Sequence, residues 1–271
     1  MVRVEIRNGL FFNYLTYGRY QMEDFQDIIL EIEGPLAVLT FNRPKRLNAM
    51  GKAIIDETAR AADSLTHKKD LRVLIITGAG GNFSAGLDVI DMAEVNESEG
   101  MRLIRAGIKI YDTIHKLNQV TIAAVEGYCL GSGLDIALSC DILVSSKNAR
   151  FGEPDINFSV LPGIARAWRH TGLNRARYMA MTGEIFTAEM MNKWGIISMM
   201  VGAGKALAEA KKIADRLIQK PNYALRTIKR LFSEVMEMQY DEASQAEKDA
   251  FLELYKTEER RLLMKAFKDK R

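Results

Sequence analysis

The chain is poor in cysteine. Of 271 residues only Cys129 and Cys140 are of that type, both in apolar surroundings and without metal-ligand spacing. They are expected to be buried free thiols in a reducing compartment. An excess of one charge is also missing. Its 38 basic and 35 acidic residues leave a net charge of +3, which does not suggest nucleic acid. No run approaches the ~18 apolar residues needed to span a membrane. The N-terminal stretch LFFNYLTYG is interrupted by Asn13 and Thr16, so it lacks a compact signal core, and it is not serine-rich. A cytoplasmic protein is expected, with no membrane partner. Proline-rich linkers, low-complexity tracts and internal repeats are absent as well. What remains, 48% hydrophobic and 27% charged, is an ordinary globular composition long enough for one large domain.

Residues 1–24 form an aromatic arm, with Phe11, Phe12, Tyr14, Tyr17 and Tyr20, expected to pack on its own domain or a neighbour. From Phe25 the pattern is regular. Two short apolar runs around Gly34-Pro35 predict a hairpin. Ile54, Ile55, Ala59, Ala62 and Leu65 have helical spacing across 51–66. The runs 71–78, 120–126 and 141–146 are apolar and continuous, which predicts strands buried on both faces. Residues 100–117 and about 131–139 predict helices between them. Strand and helix alternate to about residue 160, so the fold class is α/β with a largely parallel sheet. Beyond it, 172–194, 203–219, 222–239 and 241–268 predict helices, with one short strand at 195–201. The last helices carry an apolar stripe that they cannot bury alone and are expected to dock on the domain or on another subunit.

Two glycine loops follow buried strands: GAGGNFSAGLDVIDM at 78–92 and GYCLGSGLD at 127–135. Neither supplies the lysine of a phosphate-binding P-loop, and neither matches the dinucleotide fingerprint. An oxyanion site suits them better. Glycines let a carbonyl oxygen approach the backbone, and a helix start offers unpaired N–H groups. One N–H from each loop would make a two-donor hole for an enolate or a tetrahedral intermediate. Tight strand-to-helix turns would use the same glycines.

Four segments in order resemble the crotonase (enoyl-CoA hydratase/isomerase) superfamily. They are FNRPKRLNAM at 41–50, LIITGAGGNFSAGLDVIDM at 74–92, AAVEGYCLGSGLDIALSCDILVSS at 123–146 and ARFGEPDINFSVLPG at 149–163. The resemblance covers roughly 25–200 and implies a crotonase-like spiral of ββα units. It further implies that residues 201–271 are C-terminal helices that assemble a homotrimer or hexamer. The implied substrate is an acyl-CoA thioester, with coenzyme A carried by the substrate and no metal or other cofactor. By match to the family motifs, the backbone N–H groups of Leu87 and Ser132 form the oxyanion hole. Asp135 and Asp155 stand where the family places its acid and base. Lys45, Arg46, Leu47, Ala85, Asp88, Val89 and Ile90 match the segments beside coenzyme A, and Lys265 or Lys268 of a neighbour could complete that site.

The chain departs from the family pattern at several places. Both acids are aspartate where the hydratases have glutamate, so each carboxylate is one methylene shorter. The Ser132 hydroxyl is new, and is expected to cap the helix rather than touch substrate. Glu153 is a spare carboxylate. It is expected to point away if its loop is extended, but it lies two residues from Asp155 and stays a candidate. Glu126 is expected to be structural. In IARAWRHTG, 164–172, Arg166, Trp168, Arg169 and His170 replace small residues. They are expected to form a helix surface, with the acyl pocket as the alternative. The leading reading is an enoyl-CoA hydratase or isomerase. The alternatives are a hydrolase of a β-diketone or CoA thioester, and a non-catalytic binding member.

Overall fold

Continuous apolar runs set the frame. LRVLIITG, VTIAAV and DILVSS have no polar face to offer water, so their strands must lie inside a covered sheet. In the computed structural model, residues 25–269 are described in full; before them only the backbone of β1 (Val2–Ile6), β2 (Leu10–Tyr14) and β3 (Tyr20–Gln21) is described. The aromatic side chains expected of the arm, Phe11, Phe12, Tyr14, Tyr17 and Tyr20, lie outside the described residues. The hairpin at Gly34-Pro35 forms as expected, from β4 (Ile28–Glu33) and β5 (Leu36–Phe41). Then come α1 (Lys52–Thr66), β6 (Val73–Gly78), α2 (Val89–Glu94), α3 (Glu97–Lys116), β7 (Val120–Val125), β8 (Tyr128–Leu130), α4 (Ser132–Leu138), β9 (Ile142–Ser146) and β10 (Arg150–Gly152). They are followed by α5 (Ile164–Thr171), α6 (Leu173–Thr182), β11 (Ile185–Thr187), α7 (Ala188–Lys193), β12 (Met199–Val201), α8 (Ala206–Ile218), α9 (Asn222–Val235), α10 (Tyr240–Tyr255) and α11 (Glu258–Lys268).

The main sheet has the order β12-β9-β7-β6-β5-β4-β3. Pairing is parallel from β12 to β5 and antiparallel from β5 to β3. A second, narrower layer of extended chain runs beside it. Met50 bridges Leu87, Ser84 bridges Cys129, and β8, β10 and β11 pair with one another. Each long strand is thus followed by a short extended piece and then a helix, which is the ββα spiral. The short pieces end where Leu87, Ser132 and Asp155 begin their turns, so the second layer positions the site.

The larger core lies between the two layers and helices α1 and α3. The opposite face of the main sheet meets α8. Ala206, Ala210 and Ala214 recur every fourth residue, a flat stripe that lets the helix lie close on Val73, Ile75, Ile122 and Val144. Glu126 accepts from Gly204 N (3.1 Å) and Ala206 N (3.0 Å), satisfying the first turn of α8. Its expected structural role is therefore met. Lys229 on α9, 9% exposed, reaches Asp141 Oδ2 and Gln119 O, each at 2.8 Å, and pins α9 to the ends of β7 and β9.

Two expectations need correction. The helix expected across 172–194 is divided, because Gly183 in the left-handed region ends α6 and the chain then adds β11 to the small sheet. The helix expected across 241–268 breaks at Thr257, whose hydroxyl accepts from Arg260 N and starts α11. The helix expected at 164–172 forms, over Ile164–Thr171.

Glu57 shows how buried polarity is settled away from the site. It is 6% exposed, and its carboxylate accepts from Gln26, Asp27 and Ile28 N at 2.9, 2.8 and 3.1 Å. Replacing Glu57 by alanine strands these donors at the start of β4. The expected loss is about 3 kcal/mol of unfolding free energy, read from the denaturant midpoint at unchanged slope.

Candidate active site

The two glycine loops meet. A Cβ at Gly86 would lie 2.8 Å from Leu130 O and 3.5 Å from Gly131 Cα, so only a glycine lets these backbones touch. Leu87 follows on one side and Ser132 on the other. Ser132 is the first residue of α4, whose opening N–H groups have no partner within the helix. No acceptor among the described residues takes the Leu87 N–H. Both residues line a cavity of about 200 Å³ with Met50, Tyr111, Asp135, Asp155 and Arg166. Ile104, Ile108 and Leu161, all exposed apolar residues, form part of its wall.

Gly131 carries the strain of this turn. Its φ is +47°, a conformation that side chains resist, and an added Cβ would sit 2.7 Å from Asp155 Oδ2. The carboxylate of Asp155 therefore lies over the backbone just before Ser132. Asp155 itself belongs to a tight turn, Pro154–Phe158, that follows β10.

Asp135 lies in the first turn of α4, 6% exposed. Its carboxylate rests on Gly163, where an added Cβ would be 1.7 Å from Oδ1. Arg166 Nε donates to the same Oδ1 at 2.8 Å, and the guanidinium lies 4.5 Å above the Tyr111 ring. This overturns the expectation that Arg166 belongs to a helix surface. It stands in place of a small residue, and it reaches the carboxylate that the shortened acid left further back. The rest of the segment does follow that expectation. Trp168 is exposed, and Arg169 pairs with Glu237. His170 faces a different cavity, of about 700 Å³, which shares only Tyr111 and Arg166 with the first among the described residues.

Glu153 also corrects its expectation. The loop is not extended; it curls from Pro154, and Glu153 is 0% exposed beside Asp135 and Asp155. Burial raises its pKa well above the ordinary carboxyl value, and the charges of Asp135 and Asp155 push the same way. Burial raises Asp155 too, with the Asp135 charge adding to it. For Asp135 burial again raises the value, and the charge and hydrogen bond of Arg166 oppose it. Burial raises the Tyr111 phenol, the Asp135 charge adds to this, and Ser132 opposes it. Gly131, not Ser132, is the N-cap of α4, so the cap expected of Ser132 does not form; Ser132 lines the cavity instead.

The segments expected beside coenzyme A pack against each other and adjoin Leu87 in sequence, though none of the seven residues lines the cavity itself. Lys45 and Leu47 are exposed, as are Val89 and Ile90. Ala85 N donates to Leu47 O at 2.9 Å, joining the two segments. Asp88 is 4% exposed and caps α2 through Ile90 N and Asp91 N. Arg46 reaches Asp88 and Asp91 at 3.3 Å, and Arg43 also pairs with both. Asn48 holds the corner, donating to Ala79 O and Asn82 O and accepting from Arg43 N. Cys129 and Cys140 are buried free thiols, as expected. Among the described residues no helix is long and apolar enough to cross a membrane.

Sequence reading favoured the surface for Arg166 and missed Tyr111 as part of the site. The signal for Arg166 was present as a bulky cation where small residues were expected. Tyr111 gave none, because its place on α3 has the spacing of a core residue.

With this geometry in place, comparison with known proteins identifies the class. The family model for enoyl-CoA hydratase/isomerase matches residues 31–271. A short-chain-enoyl-CoA hydratase of Clostridium acetobutylicum is 33% identical over 252 residues, covering 92% of this chain and 97% of the relative. A crotonyl-CoA hydratase of Syntrophomonas wolfei is 34% identical over 251 residues, covering 91% and 96%. The crystal structure of an enoyl-CoA hydratase from Bacillus anthracis superposes with a TM-score of 0.86 at 26% identity, over 91% of this chain and 97% of that one. The chain belongs to the enoyl-CoA hydratase/isomerase family and is an enzyme of that class with the crotonase fold.

Proposed function

We propose that the protein hydrates a 2-enoyl-CoA thioester. The observation that carries this reading is the convergence of Asp135, Asp155, Leu87 and Ser132 on one cavity. In this reading the thioester oxygen accepts from the Leu87 and Ser132 N–H groups, which hold the negative charge that develops as the enolate forms. Asp135, whose charged form Arg166 favours against the larger opposing effect of burial, takes a proton from water as the oxygen attacks Cβ. Asp155, whose burial favours the protonated form, gives its proton to Cα. The chemistry needs no metal or redox group beyond the coenzyme A of the substrate. Lys45, Arg46, Leu47, Ala85, Asp88, Val89 and Ile90 border the coenzyme, with the exposed Lys45 meeting its phosphates and Asp88 shaping the loop.

We further propose a homotrimer, or a hexamer built from two. Phe232, Phe251 and Leu262 are exposed on the last helices, an apolar display that a second copy would cover. Lys265 or Lys268 of that copy could then reach the coenzyme site.

The hydration reading predicts a loss of the conjugated-enone absorbance when the protein is mixed with crotonyl-CoA, and a raised melting temperature with CoA esters. A melting temperature that ignores every acyl-CoA would sink it. Release of free CoA without loss of the enone would favour thioester hydrolysis instead.

A further inference from the structure

Hydration by this pair leaves the site in the wrong protonation state. Water gives its hydroxyl to Cβ and its proton to Asp135; Asp155 gives its proton to Cα. Each turnover ends with Asp135 protonated and Asp155 ionised. The site is ready again only when one proton has left Asp135 and one has reached Asp155. Both residues are deeply buried, at 6% and 9% exposure, and a bound substrate would fill the space between them and solvent.

We propose that Glu153 is a proton relay that returns the proton from Asp135 to Asp155. The inference rests on the hydratase reading. Glu153 is fully buried, and no hydrogen bond of ordinary geometry reaches either of its oxygens. An ionised carboxylate in that position would be left without a counter-charge, a cost that protonation avoids. A protonated Glu153 then needs an acceptor. Asp155 Oδ2 is buried and equally without a partner, and it is the oxygen that lies over Gly131 at the oxyanion loop. Glu153 lies close enough to both aspartates for each to act on its charge.

The relay balances. Glu153 passes its proton to Asp155, which restores the acid; the O–H bond on Glu153 breaks as the one on Asp155 forms. Asp135 then passes the proton it took from water to Glu153. No other reactant is needed. Around Glu153 the Gly163 N–H favours the ionised form, while burial and the two aspartates outweigh it. Asp135 lies on α4 with Arg166 of α5 behind it, Tyr111 comes from α3, and Cys129 from β8. The tyrosine and cysteine are both raised by burial and stay neutral, so no cation among these groups faces Glu153 directly to hold it ionised. Glu153 acts through Asp155 and is a positioning residue.

The test is Glu153→Gln, which keeps size and polarity but cannot carry the proton. The expected kcat for crotonyl-CoA falls about tenfold to a hundredfold, less than the loss of a full general acid, with KM nearly unchanged. The alkaline limb of the kcat profile moves to lower pH. In the wild type the last proton of the Glu153–Asp155 pair leaves two adjacent charges behind, which holds it on to higher pH than a lone Asp155 would. A variant with wild-type kcat and an unmoved alkaline limb overturns the relay. Infrared spectroscopy of the wild type gives a second reading that needs neither a variant nor turnover. With glutamate labelled with 13C at its side-chain carboxyl, a buried carboxylic-acid C=O band at neutral pH should shift on labelling; its absence overturns the relay. Failure of crotonyl-CoA hydration by the wild type would instead strike the hydratase reading and leave the infrared result standing.

Discussion

Asp155→Asn is expected to lower kcat for crotonyl-CoA hydration by about 10²- to 10⁴-fold, the usual contribution of a general acid. Asparagine matches aspartate in size, so the turn from Pro154 to Phe158 and the approach to Gly131 are retained. What is lost is the proton for Cα. KM should change little, because the contacts proposed to hold the thioester, the Leu87 and Ser132 N–H groups and those to the coenzyme, are left in place. Stopped-flow absorbance with steady-state controls would separate the two. The amide is neutral, as is the protonated carboxyl that burial favours, so the fold should be no less stable. A variant that unfolds near the wild-type midpoint yet hydrates at the wild-type rate would move the acid elsewhere in the cluster.

Arg166→Met should be nearly as costly, by a different route. Asp135 would remain buried with its one close cation gone. Breaking a buried pair from one side costs several kcal/mol. Here about 3 kcal/mol is expected, the low end of the range, because the guanidinium side chain is 23% exposed and borders two cavities. Arg166 works against the effect of burial, so its removal raises the Asp135 pKa further. A base must be ionised to take a proton from water. The acid limb of the kcat profile should therefore move to higher pH, with activity at neutral pH down by about 10²-fold. An acid limb that stays in place would show that Asp135 is not the base. Denaturant unfolding and the pH profile of one purified variant supply both readings.

Much of this arrangement is legible from residues alone, and the parts that are not have physical reasons. The strands β6, β7 and β9 announce themselves because a sheet covered on both faces needs uninterrupted apolar side chains. β8, β10 and β11 span three residues each, too few for any periodicity to show. Yet these short pieces carry the turns that aim Leu87, Ser132 and Asp155. Asp135, Asp155 and the two glycine loops were visible as motifs with fixed order and spacing. Arg166 was visible as an anomaly but not as a contact, since helical period alone does not tell whether a cation on α5 turns toward solvent or toward Asp135. Glu153 was misjudged for a local reason. The backbone bends at Pro154 into a tight turn, and the side-chain alternation of an extended loop does not apply there.

The wall between the two cavities has one more consequence. Among the described residues, Tyr111 and the Arg166 guanidinium stacked on it are the only side chains common to both spaces. If the acyl tail of the proposed substrate lies in the smaller space, a tail that reached the larger one would have to displace Arg166, and displacing Arg166 would take from Asp135 the cation that favours its charge.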